Sequence, residues 1–468
     1  MTEPTSPEHT TETARLGMWD AVSIIVGIVV GTSIYKTIGF IYGNVENGWI
    51  ALGAFLLGGV LSLIGALCYA ELATTYPRMG GDYVYLTRAY GRPVGFLFGW
   101  AQLAVILTGS IAAMGYAFGD YAVRLWSLDA SMTIWLTLGS VLLISALNLA
   151  GVVFGKWTQN VLTAAKVVGL FAIVVVGIGW GQIDLTMQPE TPPKNPSFAV
   201  AMILVLYAFG GWNDAAFVAS EVRDRERNIP KALFLGIGGI TLVYLIVNLG
   251  YLWGVGFDKL QNNPTPAAEV LSAPFGENGA KIMSLLVMLS ALGALNGLIF
   301  TGARIFTALG REHSVFAFLG RWDPRLGVPV WSILAQAAVT TLLILVVGTD
   351  LGHQIFDAGL SAVGVAGLEW KKFGTEFDTL VTSTAPVFWL FFLLTGVSLF
   401  VLRMKDRDIH RPFTTPLYPL VPLVFCGTSL FMLYRSQQFA GPLSLIGWVP
   451  LLLGVPLYFL SRQTSEHS

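Results

Sequence analysis

The sequence predicts an all-α integral membrane protein with about twelve transmembrane helices, since crossing the hydrocarbon core takes about 20 mostly apolar residues per helix. Three observations carry that expectation. Hydrophobic residues fill 54% of the 468 positions against 12% charged, with a mean hydropathy of +0.67. Apolar runs recur near residues 18–43, 49–76, 94–123, 131–150, 158–180, 198–220, 232–256, 280–308, 328–348, 379–402, 416–434 and 442–460. Two of these runs are broken in the same way, at Gly27-Ile28-Val29-Val30-Gly31-Thr32-Ser33-Ile34-Tyr35 and at Gly210-Gly211-Trp212-Asn213-Asp214.

Residues 1–16 carry Glu3, Glu8 and Glu12 without a basic n-region, so they read as a short cytoplasmic tail rather than a cleaved signal. The breaks matter more. A bilayer offers backbone groups no water, so unwound chain at membrane depth survives only where it lines a cavity or binds something. Two such breaks in corresponding halves of the chain point to a central substrate site.

Orientation follows from the excess of Lys and Arg in cytoplasmic loops. One set of loops holds Arg78, Arg88, Arg92, Lys156, Arg223, Arg225, Arg227, Lys231, Arg311, Arg321, Arg325, Arg403, Lys405, Arg407 and Arg411. The other holds only Arg124, Lys194, Lys259, Lys281, Lys371, Lys372 and Arg435. The first set is expected inside, and an even helix count puts both termini there. The connection from Gly348 to Asp378 is then external. Its centre, Ala358 to Leu368, is too short to span and fits a surface or re-entrant helix, either as a lid or as a plain exterior loop.

Several function classes fall away. A net charge of -1 gives no basic patch for nucleic acid. His9, His313, His353, His410 and His467 lack ligand spacing, so no metal site is expected, and no nucleophile or cofactor constellation suggests an enzyme. Cys68 and Cys426 lie in apolar runs and read as small buried hydrophobes.

The stretch Ala70-Glu71-Leu72-Ala73-Thr74-Thr75-Tyr76-Pro77-Arg78-Met79-Gly80-Gly81-Asp82-Tyr83-Val84-Tyr85-Leu86 resembles the segment after the second helix of the amino acid, polyamine and organocation (APC) transporter superfamily. Tyr207-Ala208-Phe209-Gly210-Gly211-Trp212-Asn213, Ala219-Ser220-Glu221-Val222 and Arg227-Asn228-Ile229-Pro230 resemble the sixth helix of its L-type amino acid transporter branch. Asn296-Gly297, Phe300-Thr301, Arg304, Arg311 and Glu312 resemble the eighth. The likeness runs from Gly17 to Leu460, apart from the Gly348 to Asp378 connection. It implies a LeuT-type fold of 5+5 inverted repeats: helices 1–5 in 17–182, helices 6–10 in 183–403 with an outer-loop insertion at 349–377, and helices 11–12 with a tail in 404–468. It also implies a multi-pass permease of the plasma (inner) membrane that moves L-amino acids, neutral ones first, by alternating access with proton coupling or exchange. A polyamine or other organic amine permease is the alternative within transport, and a non-transporting amino acid sensor is the alternative outside it.

An amino acid needs N–H donors for its carboxylate at a half-helix N-terminus and carbonyls for its ammonium at a half-helix C-terminus. By the resemblance, Gly31, Thr32 and Ser33 meet the carboxylate, while Ile28, Tyr207, Ala208 and Gly210 meet the ammonium. Ser33 stands where the family pattern has a third glycine, narrowing the backbone's options there. Tyr207 is either a gate or a core aromatic. Asp214, beside Asn213, is either functional or the cap of a second half-helix. Lys166, a lone cation in an apolar run, suits proton coupling or a structural hold on the first helix, and by resemblance argues against sodium. Glu71, Glu221 and the Arg223–Arg227 run look like an inner gate. Ser290 and Asn296 either line the cavity or bond between helices. In the L-type relatives of animals that the chain resembles, a cysteine in the outer loop between helices three and four joins a partner glycoprotein; here that loop, Leu125-Trp126-Ser127-Leu128-Asp129-Ala130, has none, so no disulfide-linked heavy chain is expected.

Overall fold

The computed structural model describes residues 17–77, 80–150, 152–181, 186–213 and 222–464. The first span is interrupted: α1 (Met18–Val29) gives way to α2 (Ser33–Lys36) and α3 (Ile38–Tyr42). The second is α4 (Gly48–Thr75), started by the Asn47 side chain accepting from the Ile50 N–H at 3.0 Å. A short α5 (Asp82–Tyr90) leads to a third span made of α6 (Arg92–Ala101), a π-helical turn at Gln102–Ile106, and α7 (Leu107–Trp126). Next come α8 (Thr133–Leu149), α9 (Val152–Trp180) and α10 (Phe198–Ala208), which ends at the second break. Beyond it lie α11 (Arg225–Val255), the short α12 (Phe257–Leu260), α13 (Pro266–Glu312), α14 (Val330–Gly348), α15 (Asp350–Ala362), α16 (Glu376–Lys405), α17 (Leu420–Ala440) and α18 (Leu445–Thr464).

Among the described residues, eight stretches are long and apolar enough to cross a bilayer, the last of them, Leu420–Ser461, holding both α17 and α18, and the apolar helices Lys166–Trp180 and Phe198–Ala208 are shorter. Large apolar side chains such as Leu56, Leu142, Phe171, Leu242, Leu342, Leu430 and Phe459 remain exposed, as a lipid-facing surface requires.

Inside, α13 packs against α9 and α7, α11 against α4, α9 and α1, and α16 against α17 and α7. Small residues set these distances. A Cβ on Gly177 of α9 would lie 2.2 Å from the Gly250 carbonyl oxygen of α11, so two backbones touch where any side chain would separate them.

Two boundaries differ from expectation. The run expected at 280–308 belongs to a helix that starts at Pro266, with a non-helical Gly276 (φ 57°) dividing it, and this glycine hid the first piece. In the connection from Gly348 to Asp378 the helix is Asp350–Ala362, earlier than the Ala358–Leu368 centre, because Thr349 caps it by accepting from the Gly352 N–H.

Candidate functional site

The first break begins where α1 ends. The Gly31 N–H turns back to the Val29 carbonyl at 2.7 Å, and α2 restarts with the Lys36 N–H donating to Thr32 O at 3.1 Å. The first turn of α2 therefore presents N–H groups that a helix leaves without internal partners. The second break follows Ala208. The Gly210 N–H donates to Tyr207 O at 2.9 Å, and Gly211 takes φ 101°, a conformation closed to most side chains.

Both breaks open onto one cavity of about 180 Å³, roughly ten times the ~10–15 Å³ a single water needs. Of the expected residues, Gly31, Thr32, Ser33, Lys166, Tyr207, Gly210 and Asn213 line it. Ile28 lies in the last turn of α1 and Ala208 in the last turn of α10. Asp214 and Glu221 lie outside the described residues, as do Arg78 and Met79 of the long motif.

One side chain joins the two breaks. The Tyr244 hydroxyl, fully buried on α11, shares its hydrogen between Val29 O at 2.9 Å and Ala208 O at 3.0 Å. Lys166 donates to Gly27 O at 3.3 Å, so its cation faces the end of α1 from the cavity wall. The half of the first helix beyond the break is held by Tyr121 to Tyr35 O at 2.9 Å, Tyr251 to Ile34 O at 3.3 Å and Tyr35 to Lys166 O at 2.6 Å. Lys36 at the end of α2 is buried and pairs with Asp120 of α7, and it also donates to Pro264 O at 3.0 Å. The Tyr207 ring meets Phe377 edge-on at 6.2 Å, and Lys36 sits 5.8 Å from the same Phe377 ring.

Ser290 and Asn296 are not among the lining residues. Ser290 accepts from Thr32 at 3.4 Å and Asn296 accepts from Asn148 at 2.9 Å, so each ties α13 to a neighbour. Glu71 is not among the lining residues either. Its carboxylate accepts from Arg403 Nε and Nη2 at 2.7 and 2.6 Å and from the Thr415 N–H at 2.7 Å, with Arg411 Nε 3.7 Å away. Its described partners are thus Arg403 and Arg411 rather than the Arg223–Arg227 run.

Sequence reasoning missed what the long motif does. Asp82 accepts from Thr395 at 2.9 Å, Tyr83 donates to Glu312, and Arg88 and Tyr76 both donate to Asp406, at 2.6 and 2.8 Å. The motif therefore ties α4 and α5 to α13 and α16, at Glu312 and Asp406 by the C-terminal ends of those helices. Burial pushes the Asp82 carboxyl up to about 6, while the Arg88 guanidinium holds Asp406 below the usual carboxylate range. Also missed were the lining residues Gln102, Ser110, Thr301, Thr384, Phe388 and Trp389, because helices that are apolar all round mark no inner face.

Among the described lining residues, Lys166 is the one charge and there is no carboxylate. No cluster of three metal-ligating side chains occurs among the described residues.

A family model described as amino acid permease matches residues 16–453. The serine/threonine exchanger SteT of Bacillus subtilis is 26% identical over 455 residues, covering 95% of this chain and 96% of that protein. The large neutral amino acids transporter small subunit 2 of Mus musculus is 28% identical over 465 residues, 95% of this chain and 80% of that one. The human b(0,+)-type amino acid transporter 1 is 28% identical over 444 residues, 91% and 83% respectively.

Proposed function

Since the chain belongs to the amino acid permease family, we propose that it exchanges neutral L-amino acids across the plasma (inner) membrane by alternating access, with both termini cytoplasmic. The observation that carries this reading is the single cavity onto which both helix breaks open, with Tyr244 bonded to each. A substrate carboxylate at the first turn of α2 meets N–H donors and the positive end of a helix dipole around Gly31, Thr32 and Ser33. Its ammonium meets the carbonyl ends of α1 and α10, around Ile28, Tyr207, Ala208 and Gly210. Residues 17–182 and 183–403 act as the two inverted repeats, and the site sits where their interrupted helices meet.

The names of the relatives, a serine/threonine exchanger and transporters of neutral amino acids, favour exchange of neutral substrates. The cavity wall favours them as well. A polyamine would enter beside the Lys166 cation with no described carboxylate to balance its charge, so the organic amine alternative loses ground. Lys166 either moves a proton or holds Gly27. Tyr207 and Asn213 border the cavity as gate residues, and Glu71 with Arg403 forms an inner latch. With just two cysteines, both in helices, the chain works without a disulfide-linked partner.

Counterflow tests the reading. Proteoliposomes preloaded with a mixture of unlabelled amino acids should accumulate at least one labelled neutral amino acid and no labelled putrescine. Absence of accumulation for every amino acid in the panel sinks the proposal.

A further inference from the structure

The third span contains a π-helical turn, Gln102–Ile106, between α6 and α7. Such a turn has poorer hydrogen bonding than an α-helix and occurs mostly where a functional site needs it. Its effect here is directional. At about 100° per residue, an uninterrupted helix would place Gln102 about 80° from Ser110 and about 120° from Met114. A π turn absorbs one extra residue, which brings each separation down to about 20°. Gln102, Ser110 and Met114 then share one face, and all three line the cavity. The Thr108 hydroxyl donates to the Leu103 carbonyl at 2.9 Å, supplying a bond to a carbonyl inside the turn.

The residue rotated into the cavity is the polar one. Gln102 is half-buried, and no described group hydrogen-bonds its side-chain amide. The π turn packs against α13 and α16, which bring Thr301 and Trp389 to the same cavity. The Thr301 hydroxyl spends its hydrogen on the Gly297 carbonyl at 2.8 Å and keeps its oxygen as an acceptor. From Gln102 to Met114 the lining face runs about 18 Å at 1.5 Å per residue, longer than the α-amino and carboxyl groups of an amino acid occupy.

Resting on the amino acid reading above, we infer that Gln102 is a specificity-determining residue, placed by the π turn to hydrogen-bond a hydroxyl or carboxamide on the substrate side chain. An amide both donates and accepts, which matches serine, threonine, asparagine and glutamine and gives nothing to valine or leucine. A polar group left unpaired when the substrate fills the cavity penalises the analogue that lacks the hydroxyl or carboxamide.

Threonine against valine is the sharpest comparison, because the two have nearly the same shape and differ by one hydroxyl. In counterflow with the unmodified protein, the threonine to valine ratio of kcat/KM is expected to reach about 3- to 10-fold, the worth of one net hydrogen bond. Gln102→Leu should bring that ratio near one chiefly by slowing threonine, and Gln102→Asn should retain part of it. A wild-type ratio of one, or a ratio unchanged in Gln102→Leu, overturns the inference. Should Gln102→Leu not purify as a monodisperse protein, the wild-type ratio and Gln102→Asn decide. Failure to accumulate any amino acid in the wild type would instead remove the transport reading itself, so the two failures are told apart.

Discussion

Replacing Tyr244 with Phe tests whether the two helix breaks act as one site. The ring is fully buried and meets Phe209 at 5.1 Å and Phe55 at 6.1 Å, so Phe keeps the packing and removes one oxygen. That oxygen's hydrogen serves Val29 O and Ala208 O, carbonyls at the ends of two half-helices. Losing a net hydrogen bond costs about 0.5–1.5 kcal/mol, and leaving a buried acceptor unpaired costs about 1–3 kcal/mol. One shared hydrogen between two carbonyls places the total near 2 kcal/mol. If the substrate binds the arrangement that Tyr244 holds, the loss reappears as an affinity decrease of roughly 30-fold. The assay is a scintillation-proximity titration of purified protein with the best substrate found by counterflow. Tyr251→Phe is the control, since its hydroxyl serves Ile34 O at a longer 3.3 Å and Tyr251 is absent from the cavity lining. It should leave Kd unchanged while lowering Tm slightly. A Tyr244→Phe protein that binds within twofold of wild type would refute the coupling of the two breaks.

Lys166→Met, which removes the one charge on the described cavity wall, should reduce uptake about tenfold or more, from a lost charge-assisted bond worth about 1.5–3 kcal/mol, and flatten its pH dependence. An unchanged pH profile would leave the lysine only its hold on Gly27. Glu71→Gln should cost about 1–3 kcal/mol of stability, because the half-buried Arg403 loses its bidentate charged partner; a thermal double-mutant cycle with Arg403→Met that proves additive would count against the latch. Asp82 and Asp406 should respond to pH with opposite signs. The raised Asp82 contributes stability below about pH 4 that is lost as pH rises through about 6, so Asp82→Asn should raise Tm at pH 7.5 and leave it unchanged at pH 4. The depressed Asp406 contributes above about pH 4 and loses that as pH falls further, so Asp406→Asn should lower Tm at pH 7 by an amount that shrinks in acid.

The helix breaks were legible because glycines and hydroxyl side chains stand out within apolar runs, and the cavity indeed opens at Gly31 and Gly210. The far wall was not legible. Gln102, Thr301 and Trp389 sit in helices whose lipid faces are as apolar as their inner faces, so no periodicity separates the two. A π turn has no residue signature either, and a uniform 100° step would have turned Gln102 away from Ser110. Lys36 carries no signal of its own in the sequence, because its partner Asp120 lies far along the chain and only the fold places the two together.

The tyrosines around the first break also distribute stiffness unevenly along that helix. Downstream of Gly31, α2 is fastened to α7, α9 and α11 by Tyr121, Tyr35 and Tyr251 and locked by the Lys36–Asp120 pair. Upstream, the described polar ties on α1 beside the break are Lys166 at Gly27 and Tyr244 at Val29. Strain arriving at Gly31 therefore passes through polar contacts to three helices on the α2 side, and through packing on α11 with two hydrogen bonds beside the break on the α1 side.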